Sequence, residues 1–191
     1  MSRRVVAGFF GKLPCRGDFV SRRLPSTFIE PWDASVSAWL PAGMARSGQQ
    51  GAAAFLSMQP WRFALAGGVC GNVAWVGVLG PSQDSVGRAY PLIVAAATAI
   101  TAGGSPRVPA SDWFDTVEAA CGTADGVPLV AFDACIARLP DPAGVPADSL
   151  RGCRSPDDRV AFWRHGLEGH VAQTLPAVDA EAWLFAGGAP A

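Results

Sequence analysis

The chain has 191 residues, a formal charge of −1, 50% hydrophobic and 16% charged residues, and seven tryptophans. At roughly 100–200 residues per domain this is one domain. Burying about 70% of its unfolded surface, it needs no disulfide or metal staple. The near-neutral balance excludes a strongly basic nucleic-acid binder, and 22 glycines with 16 prolines stay below the ~25–30% at which disorder sets in.

The neutral total hides an asymmetry. Residues 1–23 carry Arg3, Arg4, Lys12, Arg16, Arg22 and Arg23 against Asp18, a local charge of +5, while the remainder carries −6. Such a segment steers an acidic partner or merely solubilises an edge. Lys12 is the one lysine among 15 basic residues, a bias that a high-GC genome also produces. Arg3 and Arg4 precede the apolar run Val5 to Gly11, but Lys12 interrupts it and no small-residue cleavage site follows. Leu92 to Ile100, the longest apolar stretch, has nine residues, whereas a membrane helix needs about 20. Five cysteines (15, 70, 121, 135 and 153) form no CxxC pair and read as buried free thiols of a reducing cytosol. The expected location is cytoplasmic, with no membrane insertion.

In chain order, Val5 to Phe10 reads as a first strand and Pro14 to Pro25 as an arginine-rich loop. A helix starts near Ser26, with Ser26 or Thr27 as N-cap and Glu30 closing a capping box with Thr27. Phe28, Trp32, Val36, Trp39 and Leu40 form its apolar stripe; Pro31 belongs in the first turn, and Pro41 with Gly43 ends it. Residues 61–100 read as an antiparallel meander. Trp61, Phe63 and Leu65 alternate with Arg62 and Ala64, Val73 to Leu79 alternates again, and Tyr90 to Ile100 is apolar almost throughout, hence buried on both faces. Ser111 caps a helix bearing Trp113, Phe114, Val117, Ala120 and Cys121, and Pro128 opens another with Leu129, Phe132, Ile136 and Leu139. Pro140 to Pro156 reads as a surface excursion, Val160 to His165 as either a helix or an edge strand, and Asp179 to Phe185 as a short amphipathic end. Whether residues 155–174 are helix or strand stays open. The expected architecture is an α+β single-domain sandwich spanning 1–191, a mainly antiparallel sheet of about five strands flanked by helices.

Catalytic motifs are absent: GxSxG and GxxxxGK[ST] do not occur, and His165, Glu168 and His170 match no zinc pattern. On a helix those two histidines stand roughly 140° apart. No metal, cofactor or catalytic residue is expected. Arg16-Gly17-Asp18 is an integrin-type tripeptide by letters only. Two segments combine rigid turn residues with charge, Gly8 to Val20 and Gly80 to Leu92. Ser82 and Asp84 suit an Asx-type turn, Gly87 a positive φ, and Arg88 falls close to Asp84. They are strand-end loops held by local bonds, or they meet at one end of the sheet as a recognition surface.

Gly8-Phe9-Phe10-Gly11-Lys12-Leu13-Pro14, Arg16-Gly17-Asp18-Phe19-Val20, Leu24-Pro25, Phe28, Trp32-Asp33, Trp39-Leu40, Trp61-Arg62-Phe63 and the block Gly80-Pro81-Ser82, Asp84, Gly87-Arg88, Pro91-Leu92 resemble the TagF family of type VI secretion-associated proteins. The resemblance is strongest over 7–95 and thins afterwards, with Trp163 and Leu184-Phe185 similar to later aromatic positions. It implies a cytoplasmic accessory protein of the bacterial type VI apparatus, a post-translational negative regulator that holds back a forkhead-associated (FHA) domain scaffold protein. Some members are fused to a PP2C-type phosphatase domain, for which this length leaves no room. The family brings no established catalytic residues.

The expected function is therefore that of a non-catalytic binding protein. Its candidate contacts are Lys12, Arg16, Arg22, Arg23 and Arg88, with Asp18 and Asp84 orienting them. The alternatives are a small hydrolase or transferase using Ser82, Asp84 and Arg88 with His165 as base, and a structural module of the apparatus. The oligomeric state stays open.

Overall fold

A strand that is apolar at every position has to be covered on both sides, and that requirement organises this chain. The structure is a computed structural model and describes residues 5–102, 104–142, 159–164, 169–180 and 184–185. Its strands are β1 (Gly8–Gly11), β2 (Val20–Arg22), β3 (Trp61–Leu65), β4 (Ala74–Gly80), β5 (Leu92–Thr98), β6 (Val160–Trp163) and β7 (His170–Ala172). They make one sheet in the order β2-β1-β5-β4-β3-β6-β7, antiparallel at every pairing. The meander expected over 61–100 is its centre, with Phe63 opposite Gly77 and Gly77 opposite Ala95. Gly77 sits where the Phe63 ring and the Val94 carbonyl leave no room for a Cβ.

The sheet has seven strands where about five were expected. The additions are the two edges, β2 within the Pro14 to Pro25 stretch read as loop, and β7. Residues 160–163 are strand, and β7 covers them, so β6 is interior rather than an edge. His165 lies outside the described residues, as do Arg3, Arg4, Cys153 and most of the excursion before β6.

Side-chain parity divides the core in two. Phe10, Trp61, Phe63, Leu65, Trp75, Leu79, Ile93, Val160 and Phe162 face one layer, while Phe9, Ala64, Val76, Val78, Leu92, Val94 and Ala96 face the other. Helix α1 (Ser26–Arg46) covers the first face with Phe28, Trp32, Val36, Trp39 and Leu40, and α2 (Gly51–Leu56) adds Phe55. Helices α3 (Ser111–Gly122) and α4 (Leu129–Ala137) cover the second with Trp113, Phe114, Val117, Phe132 and Ile136. The class is α+β, as expected, with helices on both faces of the sheet.

Helix boundaries depart from the expectation in instructive ways. Pro25, not Ser26 or Thr27, is the N-cap of α1, and no side-chain cap bond forms, so the capping box with Glu30 is not made. Pro31 lies beyond the first turn, and Pro41 is also interior. Each lacks an N–H, so the carbonyls of Thr27 and Ser37 lose their helical partners. Burial of three aromatic rings, at roughly 1.5–3 kcal/mol each, outweighs that loss and carries the helix on to Arg46. Gly43, expected as a stop, receives the Phe185 ring instead. Leu184 is fully buried beside it, and its carbonyl accepts bonds from Trp61 Nε1 (3.1 Å) and Arg164 Nη2 (3.0 Å). The thiols are also not uniformly buried. Cys15 is exposed and Cys121 and Cys135 are half-buried, while burial pushes the Cys70 thiol up to about 12.

Ser111 is likewise not a cap: it is the first residue of α3, after Ala110. Its hydroxyl accepts a 2.8 Å bond from Arg62 Nη1 instead. Arg62 projects from β3 beneath α3 and is 2% exposed. Its Nε donates to Glu118 Oε1 (2.6 Å) and its Nη2 to Glu118 Oε2 (3.1 Å) and Asp115. Burial alone would lower the Arg62 pKa, but Glu118 and Asp115 outweigh it and hold it above the ordinary value. Removing one partner of a buried pair strands the other, at about 3 kcal/mol. Arg62→Ala should therefore lower Tm by about 6–12 °C in thermal unfolding. Asp115→Asn should cost less than Glu118→Gln, because the Asp115 side chain is 47% exposed and Glu118's 24%.

Candidate functional site

Strand β1 ends at Gly11, whose φ of +139° and contact with the Pro91 carbonyl exclude a Cβ. The chain turns there and sends Lys12 across the start of β5. On the neighbouring loop, Asp84 is the hub. Its side chain is wholly buried, yet it carries a charge that four groups address. Oδ2 accepts from Arg88 Nε (2.7 Å) and lies 3.1 Å from Lys12 Nζ. Oδ1 accepts from the backbone N–H groups of Val86 (3.0 Å) and Arg88 (2.9 Å). This is the Asx-type turn anticipated from Asp84, and Gly87 closes it at φ +83°.

The two unusual segments do meet at one end of the sheet. Ser82 Oγ donates to the Lys12 carbonyl (2.8 Å), Ser85 N–H to the Arg16 carbonyl (2.9 Å), and Arg88 Nη2 to the Gly17 carbonyl (2.6 Å). An aromatic trio sits beside them. Phe19 stacks on Phe10 at 5.8 Å and meets Tyr90 edge-on at 4.6 Å, with Lys12 Nζ 5.3 Å from the Phe19 centroid. Tyr90 donates its hydroxyl to Asp33 Oδ1 on α1 (2.8 Å), and burial followed by that bond holds the phenol above its ordinary pKa. Neither the trio nor the Tyr90–Asp33 bond was among the expected site groups. The signal available was that Tyr90 is the chain's one tyrosine.

The seven candidate residues do not form one cluster. Lys12, Arg16, Asp18, Asp84 and Arg88 belong to the loop pair. The guanidinium of Arg16 and the carboxylate of Asp18 are exposed and have no partner among the described residues. Arg22 lies on the edge strand, in register with Phe9, and donates to the Ser21 carbonyl. Arg23 points elsewhere: it bonds the Ala7 carbonyl (2.7 Å) and Asp133 of α4 (2.6 Å). Its φ of +60° costs a non-glycine residue roughly 1–2 kcal/mol, which those two bonds offset.

Ser82 is buried, and its hydroxyl hydrogen serves the Lys12 carbonyl. His170 stands on β7, three strand spacings or about 14 Å from β4. Among the described residues no His, Cys, Asp and Glu group suits a metal ion, and no helix is long and apolar enough to cross a membrane.

The geometry is that of two loops locked together at one end of the sheet of an antiparallel α+β domain, a fold shared with a known family. Residues 8–139 match the model of the TagF N-terminal domain, type VI secretion system-associated, so both loops and helices α1 to α4 fall within it. Among solved structures, the crystal structure of PA0076 from Pseudomonas aeruginosa PAO1 superposes with a TM-score of 0.77 at 30% identity, covering 97% of this chain and 96% of that one. None of the curated proteins matches. The chain belongs to the TagF family of type VI secretion-associated proteins.

Burial would raise the Asp84 carboxyl, but the Arg88 N–H, Lys12, the Arg88 side chain and the Val86 N–H hold it well below the usual carboxylate range. A group depressed in this way contributes stability in full above its unfolded pKa of about 3.9 and loses it as pH falls through the folded value. Asp84→Asn should lower Tm at neutral pH and flatten the fall of Tm below about pH 4, as read from melts across pH.

Proposed function

We propose that the chain is a non-catalytic, post-translational repressor of type VI secretion that acts in the cytoplasm by binding the system's FHA-domain scaffold protein. Family membership supplies the link to the secretion system. The observation that carries the binding reading is the Asp84 hub. It fixes two loops to each other and leaves exposed guanidinium groups on a rigid frame. Ordering entropy is therefore already lost before a partner arrives. A hydrolytic reading through Ser82 finds less support. Its hydroxyl is buried and engaged, and His170, the histidine within the described residues, is too far for the roughly 3 Å a general base requires. His165, the other histidine of the sequence, is outside those residues.

The doubly reversed variant Arg16→Glu/Arg22→Glu should reduce capture of the scaffold in pull-downs at least about tenfold, a loss of about 1.4 kcal/mol. Both side chains are exposed, so its Tm should stay at the wild-type value. Unchanged capture would remove the basic residues from the binding face. Co-sedimentation with the assembled apparatus rather than with the scaffold would favour a structural module.

A further inference from the structure

The loop end also indicates what its partner must look like. Phe19 is 50% exposed and Val86 70% exposed, although the Val86 N–H is held by Asp84 and the Gly17 carbonyl, two residues before Phe19, by Arg88. Phe10 stacks on the Phe19 ring, Tyr90 meets it edge-to-face and Lys12 lies over it, and half of Phe19 still faces solvent. Arg88 is anchored through Nε and Nη2, yet 61% of its side chain is exposed. Arg16, on the facing loop, is free of side-chain partners among the described residues. The buried charge of Asp84 is balanced by Lys12, itself buried, so the exposed charge here is the guanidinium groups of Arg16 and Arg88 against Asp18, a net excess of one positive charge.

We propose that this end is a docking surface with Phe19 and Val86 at its centre and Arg16 and Arg88 at its rim, and that it takes an acidic protein segment bearing an apolar side chain. The identity of that partner as the scaffold rests on the repressor reading; the location and chemistry do not. An apolar centre ringed by arginine is the composition in which binding energy concentrates. Guanidinium forks match the planar geometry of carboxylates, as they do of phosphates, often with two parallel bonds, so the Asp and Glu side chains of an acidic segment suit them. A body that carries −6 outside residues 1–23 would repel an acidic segment at most other places. The surface is narrower than the basic N-terminal segment. Arg23 is committed to Asp133 and Ala7, and Arg22 sits back along the edge strand beside Phe9.

The test is calorimetric titration of the purified chain with the FHA-domain scaffold protein and, separately, with an Asp/Glu-rich peptide carrying one leucine and a Lys-rich counterpart. Val86→Asp and Phe19→Ala should each weaken scaffold binding at least about tenfold, and Arg23→Gln should stay within about twofold. The acidic peptide should compete with the scaffold and the Lys-rich one should not. Val86→Asp tests the surface without touching the aromatic trio, so its Tm should match the wild type. Wild-type affinity in both Val86→Asp and Phe19→Ala overturns the surface and leaves the repressor reading standing. Binding of the acidic peptide without the scaffold, lost in Val86→Asp, overturns the repressor reading and supports the surface. Failure of both ligands to bind overturns the surface assignment as well.

Discussion

A carboxylate with no part of its side chain in water is stable as an anion only when charges and N–H groups replace its hydration. Asp84 receives two backbone N–H groups, a guanidinium and an ammonium, and those donors come from both loops. Satisfying one charge therefore fixes the course of two segments that are far apart in sequence. Lys12 is drawn inward and Arg88 is clamped across to Gly17, while Arg16 and Phe19 are left facing out. Buried ion pairs are weak evidence for net stability, and what the Asp84 bonds visibly do is tie Lys12, Val86 and Arg88 to one point. In this protein the geometry is the property that a recognition surface needs.

The same rule operates at the centre of the sheet with the signs reversed. Arg62 shares β3 with Trp61 and Phe63, and parity turns it toward α3. Because α3 covers that face, Arg62 is buried and its charge is met by Glu118, Asp115 and Ser111. Arg62 thus fixes how α3 sits on the sheet, as Asp84 fixes how the loops sit on its end. A further ring of contacts, from Tyr90 to Asp33 and from Phe19 to Phe10, ties the loop end to α1 and β1. The site is continuous with both cores and is not an appendage.

Local patterns were legible in the sequence, and non-local pairings were not. The stripe Phe28, Trp32, Val36, Leu40 has helical spacing, and the alternation over 61–79 has strand spacing, so α1 and the meander could be read directly. Asp84, Gly87 and Arg88 lie within one turn and were readable for the same reason. Strands β2 and β7 are three residues long, too short to show a period, and exist because β1 and β6 offer edges. Alternation placed Arg62 opposite Trp61 but said nothing of whether that face was covered. The bond from Ser82 to Lys12 spans 70 residues and that from Tyr90 to Asp33 spans 57, beyond any local signal. Arg23 shows the converse: charge counting grouped it with Arg16, while its left-handed backbone and Asp133 take it to another part of the surface.

The central claim is that the Asp84-held loop pair is the face presented to the FHA-domain scaffold. Amide hydrogen exchange of the chain with and without saturating scaffold addresses it most directly, because protection reports where backbone is covered or stabilised. The account predicts that added protection concentrates in the two segments 13–19 and 83–88 and is absent from α4. Protection confined to α4 or to the β7 edge, with both loops exchanging as in the free chain, would contradict it.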